Sequence, residues 1–358
     1  LLFMCLKIRH YEHYFSGYLT GGGFTTMESD FETHKEQLCL LSNLCFFLSH
    51  HGIKCSEDWL AGLLGSYGFC YDKAPEVKKN VVNGLSGGFS DIFQNYVGAM
   101  KHPLQKYELT INGLFIGELQ SLLAIYGPGL IWIDQYYVEH SPYYLSDSCW
   151  SVIVVFGIQN EKVLYFDNGC RFIGQEGFTQ AIDKGGRCEL FFASKAGLGL
   201  EKREFDLVRD GLTRIIDTMK RRNNFSSCIK GIRGIRYFAG KVKRCDEPGD
   251  LNNFYYQINR PGGLTLTRDS MRRLLKELGT RYPHIDTSAS EEIYTRLTND
   301  WRLIGNLLFR LSVIGDNELR KRIVCRIIKA ARLEEEGVAQ LEQLQRELCA
   351  SLVLNNNM

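Results

Sequence analysis

From Glu36 to His51 the apolar residues Leu38, Leu41, Leu44, Cys45 and Leu48 recur at three- and four-residue spacing. That pattern predicts an amphipathic helix, which Gly52 stops in a left-handed turn. The preceding stretch, Gly17, Gly21–Gly23, Thr25, Thr26, Ser29 and Asp30, reads as irregular chain. Ser56-Glu57-Asp58 caps a second helix through Leu64, and Gly62, Gly65 and Gly68 mark a close-approaching turn before Phe69 and Tyr71. Farther on the pattern changes to strands. Leu130–Ile133, Val152–Phe156 and Val163–Phe166 are β-branched or aromatic runs, the last two joined through Gly157–Lys162 as a hairpin. Phe178–Ile182 predicts a short helix and Cys188–Ala193 a last strand.

Beyond Leu200 helical periodicity takes over in Phe205–Arg221, Arg268–Leu278, Ser290–Leu311 and Asn317–Leu352. Residues Asn223–Gly263, punctuated by Pro248-Gly249 and Pro261-Gly262-Gly263, carry no clear period. The expected fold class is therefore α+β, with residues 1–198 as a mixed domain, residues 199–358 as a mainly helical one, and the boundary near Ala196–Lys202.

Composition narrows the function classes. The 358 residues carry 43 basic and 41 acidic side chains, a formal charge of +2, which is too even to announce nucleic acid or an anionic membrane as the main partner. No run reaches the roughly 20 apolar residues a membrane span needs, and Leu1–Cys5 is too short for a secretory signal, so a cytoplasmic protein is expected. The 12 cysteines stand singly, without zinc spacing, so no metal is expected and most should be small core residues kept reduced.

Cys39 differs by context. A thiol at the start of a helix is favoured as thiolate by the unpaired backbone amides there. A site of this kind also needs a base on a later strand and a carboxylate or amide beyond it to orient the base. Asp167, ending the strand in Tyr165-Phe166-Asp167-Asn168-Gly169, is placed for the second role.

These residues resemble a family. Cys39-Leu-Leu-Ser-Asn-Leu-Cys-Phe-Phe-Leu-Ser-His-His-Gly52, then Ser56-Glu57 and Gly62-x-x-Gly65-x-x-Gly68-Phe69, are similar to the amino-terminal domain of the butirosin biosynthesis protein H family. Ile131-Trp-Ile-Asp134-Gln-Tyr-Tyr137, Ser141-Pro142, Ser151–Gly157 and Lys162–Asp167 resemble its second motif block, and the tail around Trp301 and Glu334–Leu341 resembles its helical region. The resemblance implies a papain-like, peptidase-related fold used for acyl transfer. The butirosin member moves a γ-glutamyl-aminohydroxybutyryl group from an acyl carrier protein thioester to an amine of the aminoglycoside ribostamycin. It implies Cys39 as nucleophile and Asp167 as orienting acid, with no resident cofactor, since phosphopantetheine arrives on the carrier.

Two positions depart from that pattern. Ser151 stands where related domains carry the base histidine, and Leu38 stands where the family often has histidine before the cysteine. His140, in the loop entering the strand, is the nearest substitute base along the chain, and His34 is a candidate donor to an oxyanion. Thioester aminolysis tolerates such a loss, because a thiolate leaves without a general acid and a free amine attacks directly. Asp134, Glu139 and Asp147 offer an acidic surface to a cationic acceptor, and Tyr136, Tyr137, Tyr143, Tyr144 and Trp150 could wall a pocket. Two basic clusters suit an acidic carrier protein: Lys220 to Arg244, which contains no acid, and Arg320 to Arg332. A cysteine hydrolase or peptidase, and a noncatalytic carrier-binding module, stand as alternatives.

Overall fold

Among the described residues backbone hydrogen bonds set the frame: six antiparallel strands in one sheet, three short ones in another, and a set of helices. A computed structural model describes residues 39–72, 85–87, 93, 95–97, 104–146, 148–183, 189–193, 204–221, 228–260 and 262–355. Helix α1 (Cys39–His50) buries Leu41, Leu44, Phe47 and Leu48 completely. Helix α2 (Glu57–Leu63) starts at Ser56, whose hydroxyl accepts from the Trp59 amide at 3.0 Å, and all seven of its residues are buried. Acidic residues at its first two positions suit the positive end of the helix.

Strands β1 (Cys70–Asp72) and β2 (Leu85–Ser86) precede β3 (Leu104–Glu108), α3 (Phe115–Tyr126) and β4 (Gly129–Asp134). Strands β5 (Trp150–Gln159), β6 (Lys162–Phe166) and β7 (Cys170–Gly174), helix α4 (Gln175–Asp183) and β8 (Glu189–Ala193) complete the large sheet, ordered β3-β8-β4-β5-β6-β7. The β5–β6 turn is tighter than the spacing predicts. Asn160 and Glu161 alone span it, both with positive φ (49° and 60°), the conformation whose twist matches that of the flanking strands.

Side-chain alternation gives the sheet two different faces. Ile131, Ile133, Ile153, Val155, Val163, Tyr165 and Ile173 lie on one face, in a core closed by Phe115 and Leu119 of α3 and Phe178 and Ile182 of α4. The other face presents Leu130, Val152, Val154 and Phe166, and α1 packs there along β5.

After residue 203 come α5 (Glu204–Lys220), β9 (Cys228–Lys230), α6 (Gly231–Arg244), α7 (Pro248–Asn259), α8 (Leu264–Arg281), α9 (Ser288–Ile314) and α10 (Asn317–Asn355). The stretch without a clear period thus holds two helices. Pro248 opens α7 at a position whose missing N–H costs nothing. In α6, a Cβ on Gly234 would stand 2.5 Å from the Ile229 carbonyl and 2.8 Å from the Phe69 ring, so a close approach explains the glycine that obscures the helix.

The expected boundary near residue 198 lies outside the described residues, but elements from either side of it pack together. Strand β9 pairs with β1 in a β2-β1-β9 sheet, and α2 packs on α5 and α8. By their contacts residues 36–358 group into one compact unit. At its centre Arg268 of α8, almost fully buried, donates to Glu334 of α10 at 2.7 Å and to the Gly68 carbonyl at 2.6 Å, while the Trp301 indole of α9 donates to the same carboxylate at 3.3 Å. Among the described residues no helix is long and apolar enough to cross a membrane.

Candidate active site

The first residue of α1 is Cys39, and one helical turn later, on the same face, stands Asn43. Asn43 is fully buried, and its amide is the hub of a polar network. Its Nδ2 donates to the Val152 carbonyl at 2.7 Å and to Asp167 Oδ1 at 3.2 Å, and its Oδ1 accepts from the Asn168 amide at 3.0 Å. Two acceptors on one side and a backbone donor on the other fix which way this amide points. Gln135 Nε2 donates to the second oxygen of Asp167 at 2.9 Å, and Arg171 Nε donates to its carbonyl at 3.3 Å. The turn itself needs unusual backbone: Asn168 has φ 52° and Gly169 φ 144°.

Aromatic contacts give the direction of α1. Phe46 stacks on Phe166 at 4.1 Å with the rings 3° from parallel, and lies 5.9 Å from Phe156. Since Asn43 meets Val152 and Phe46 meets Phe156, the helix runs with β5. One turn before Asn43, Cys39 therefore opens the helix toward the entry of β5.

Other expected site residues lie elsewhere. Ser151 pairs with Ile133 and alternates with Val152, so it points into the face closed by α3 and α4, away from α1. Strand parity at this position puts Trp150, 39% exposed, on the α1 side instead. His140 occupies an exposed turn, its ring edge-on to Phe172 of the outer strand β7 at 6.0 Å. It is not the partner of Asp167, whose two carboxylate oxygens are taken by the amides of Asn43 and Gln135.

Asp134 is buried and holds its own turn. Its Oδ1 accepts from the Tyr136 and Cys149 amides, each at 3.0 Å, and its Oδ2 from the Ser148 hydroxyl at 2.7 Å. Tyr137 is half-buried, packed against the α3–α4 core with its ring 4.9 Å from that of Tyr136. Tyr144 is exposed in the turn before β5. His34 and Asp147 lie outside the described residues. Part of the basic stretches is neutralised within the chain: Lys220 pairs with Glu342, Arg236 with Glu335, Arg320 with Asp246 and Arg326 with Asp300.

Asn43 and Gln135 are the residues the sequence reading misses. An asparagine four positions after a helix-opening cysteine, amid apolar neighbours, is the signal for the first; nothing local marks the second. Glu57 is a third. It is buried at the start of α2, its Oε2 has no hydrogen-bond partner, and burial, followed by the charge of Asp58, pushes its carboxyl up to about 7, with Ser42 of α1 and Arg273 pulling the other way. Among the described residues no group of three or more His, Cys, Asp or Glu side chains is arranged to hold a metal ion. No protein-family model matches the chain, and no curated protein matches it.

Proposed function

We propose that the chain is an amide-forming acyltransferase with a papain-like arrangement of its nucleophile helix, taking an acyl group from a carrier protein thioester to an amine of an aminoglycoside in antibiotic biosynthesis. One observation carries the reading: the Asn43 amide, one turn after Cys39, ties α1 to both β5 and the Asp167 turn. The motif resemblance to the butirosin biosynthesis protein H family supplies the substrate class.

In this reading the Cys39 thiolate attacks the thioester carbonyl. The tetrahedral adduct then collapses, breaking the carbon–sulfur bond to phosphopantetheine and releasing the carrier as its thiolate. The acceptor amine next attacks the acyl-Cys39 carbonyl, the amide forms, the Cys39 thiolate leaves, and the ammonium proton passes to solvent or to the departed carrier thiolate. Neither leaving group needs protonation, so no histidine is required at the Ser151 position. Asp167 is a positioning residue, holding the turn rather than a base. That feature favours transfer to an amine over peptide cleavage, which must protonate a leaving amine.

The experiment is intact-mass analysis of the protein incubated with acyl-loaded carrier protein and a panel of amines. Expected are an acyl adduct on Cys39 and a new amide, both lost in Cys39→Ala. Unchanged turnover in Cys39→Ala overturns covalent catalysis by this thiol, and release of free acid with no amide from any amine overturns the transferase in favour of a hydrolase.

A further inference from the structure

Two cysteines far from α1 face each other across the small sheet. The β1–β9 ladder pairs Cys70 with Lys230 and Asp72 with Cys228, so Cys70 and Cys228 are diagonal neighbours on one face of an antiparallel pair. The right-handed twist of such a ladder draws one diagonal together. Their sulfur atoms stand 2.8 Å apart, and both residues are partly exposed to solvent.

A second pair in the chain provides the contrast. The sulfurs of Cys45 and Cys55 are 3.8 Å apart, an ordinary thiol–thiol hydrogen bond, and the Cys55 sulfur together with burial pushes the Cys45 thiol well up, against thiolate formation. At 2.8 Å the Cys70–Cys228 pair is a full ångström closer, most of the way to the roughly 2.05 Å of a bond. The ladder register puts both side chains on the same face of the strand pair, with their sulfurs turned toward one another.

We propose that Cys70 and Cys228 are a reversible disulfide site, closed by low-molecular-weight disulfides. One of the two thiolates attacks a sulfur of the small disulfide, giving a mixed disulfide and releasing one small thiolate. The other cysteine thiolate then attacks the protein sulfur of that mixed disulfide, forming the Cys70–Cys228 bond and releasing the second small thiolate. The protein gives up two thiol protons and two electrons, and the small disulfide is reduced to two thiols. The closed bond joins β1 to β9 across 158 positions of sequence, a loop that contains the whole six-stranded sheet.

The test uses the full chain, equilibrated with mixtures of oxidised and reduced glutathione, acid-quenched, alkylated and mapped by peptide mass spectrometry. Expected is one cross-linked peptide pair joining Cys70 to Cys228, lighter by two hydrogens, protected from alkylation in oxidising mixtures and restored by reductant. The oxidised protein should also show an upward shift in Tm. Alkylation of both cysteines in the fully oxidising mixture, or a cross-link joining either to a different cysteine, overturns the proposal. Cys228→Ser should lose the cross-link while Cys45→Ser keeps it; a persistent Cys70 cross-link in Cys228→Ser, or its loss in Cys45→Ser with wild-type folding, also overturns it.

Discussion

On one face of the six-stranded sheet Ile131, Ile133, Ile153 and Val155 meet α3 and α4 through apolar contact alone. On the other face α1 is held both by aromatic stacking of Phe46 on Phe166 and by the buried amide of Asn43. An apolar face is indifferent to sliding by a fraction of a residue, whereas an amide with three partners locks one register and one orientation. The contrast separates stability from positioning. The α3–α4 face supplies the burial, and the α1 face fixes where the first residue of a helix stands.

The widest gap between the faces should appear when a charge is placed on the apolar one. Ile153→Asp buries an unpaired carboxylate at a site with no solvent access, costs more than about 5 kcal/mol and leaves the protein unfolded by circular dichroism. A folded Ile153→Asp protein would mean that this face is not closed. Asn43→Ala removes three hydrogen bonds and strands the Val152 carbonyl, so urea denaturation should show a loss of about 3–4 kcal/mol. Acyl transfer should fall further than stability explains, because the start of α1 loses its tie to β5. Transfer unaffected in the folded fraction would remove Asn43 from positioning.

Glu57 sharpens the picture through pH. Its folded-state value is raised to about 7 from an ordinary carboxylate value, so the folded protein binds the extra proton. The stability this contributes is fully present below the unfolded value and is lost as pH rises through 7, by an amount on the order of 3 kcal/mol. Glu57→Gln, neutral at every pH, should flatten the fall in Tm that the wild type shows between pH 5 and 8. Parallel curves for the two proteins would contradict a buried titrating carboxyl. The smallest effect belongs to Ser151→Ala, which faces the α3–α4 core: within about 1 kcal/mol in stability and little change in transfer rate. A hundredfold loss of transfer would show that Ser151 reaches the α1 side after all.

Local signals in the chain go far with elements and less far with their neighbours. The period of Leu41, Leu44 and Leu48 gives α1, Ser56 gives the start of α2, and the runs in β4, β5 and β6 are strands as their composition implies. Helix α6 is obscured by Gly234, whose close approach to Phe69 and Ile229 is a tertiary demand that no window of sequence reveals. The same limit governs the site. Cys39 at a helix start and Asp167 at a strand end are readable locally, but the Asn43 amide that ties α1 to the Asp167 turn is 124 positions from Asp167. Ser151 illustrates how parity decides. Alignment to a motif puts it at the strand entry, while the pairing of β4 with β5 turns it to the far face and brings Trp150 to the near one.

Arg268 has a consequence for how the chain is made. Its guanidinium spans a sequence separation of 200 back to the Gly68 carbonyl and 66 forward to Glu334. A ribosome adding roughly 5–20 residues per second takes on the order of 10–50 s to travel from the glycine turn to the acid that neutralises this cation. For the first 200 positions of that interval the turn lacks Arg268 and α2 lacks the cover of α8, so the glycine turn becomes native only when a segment made much later arrives.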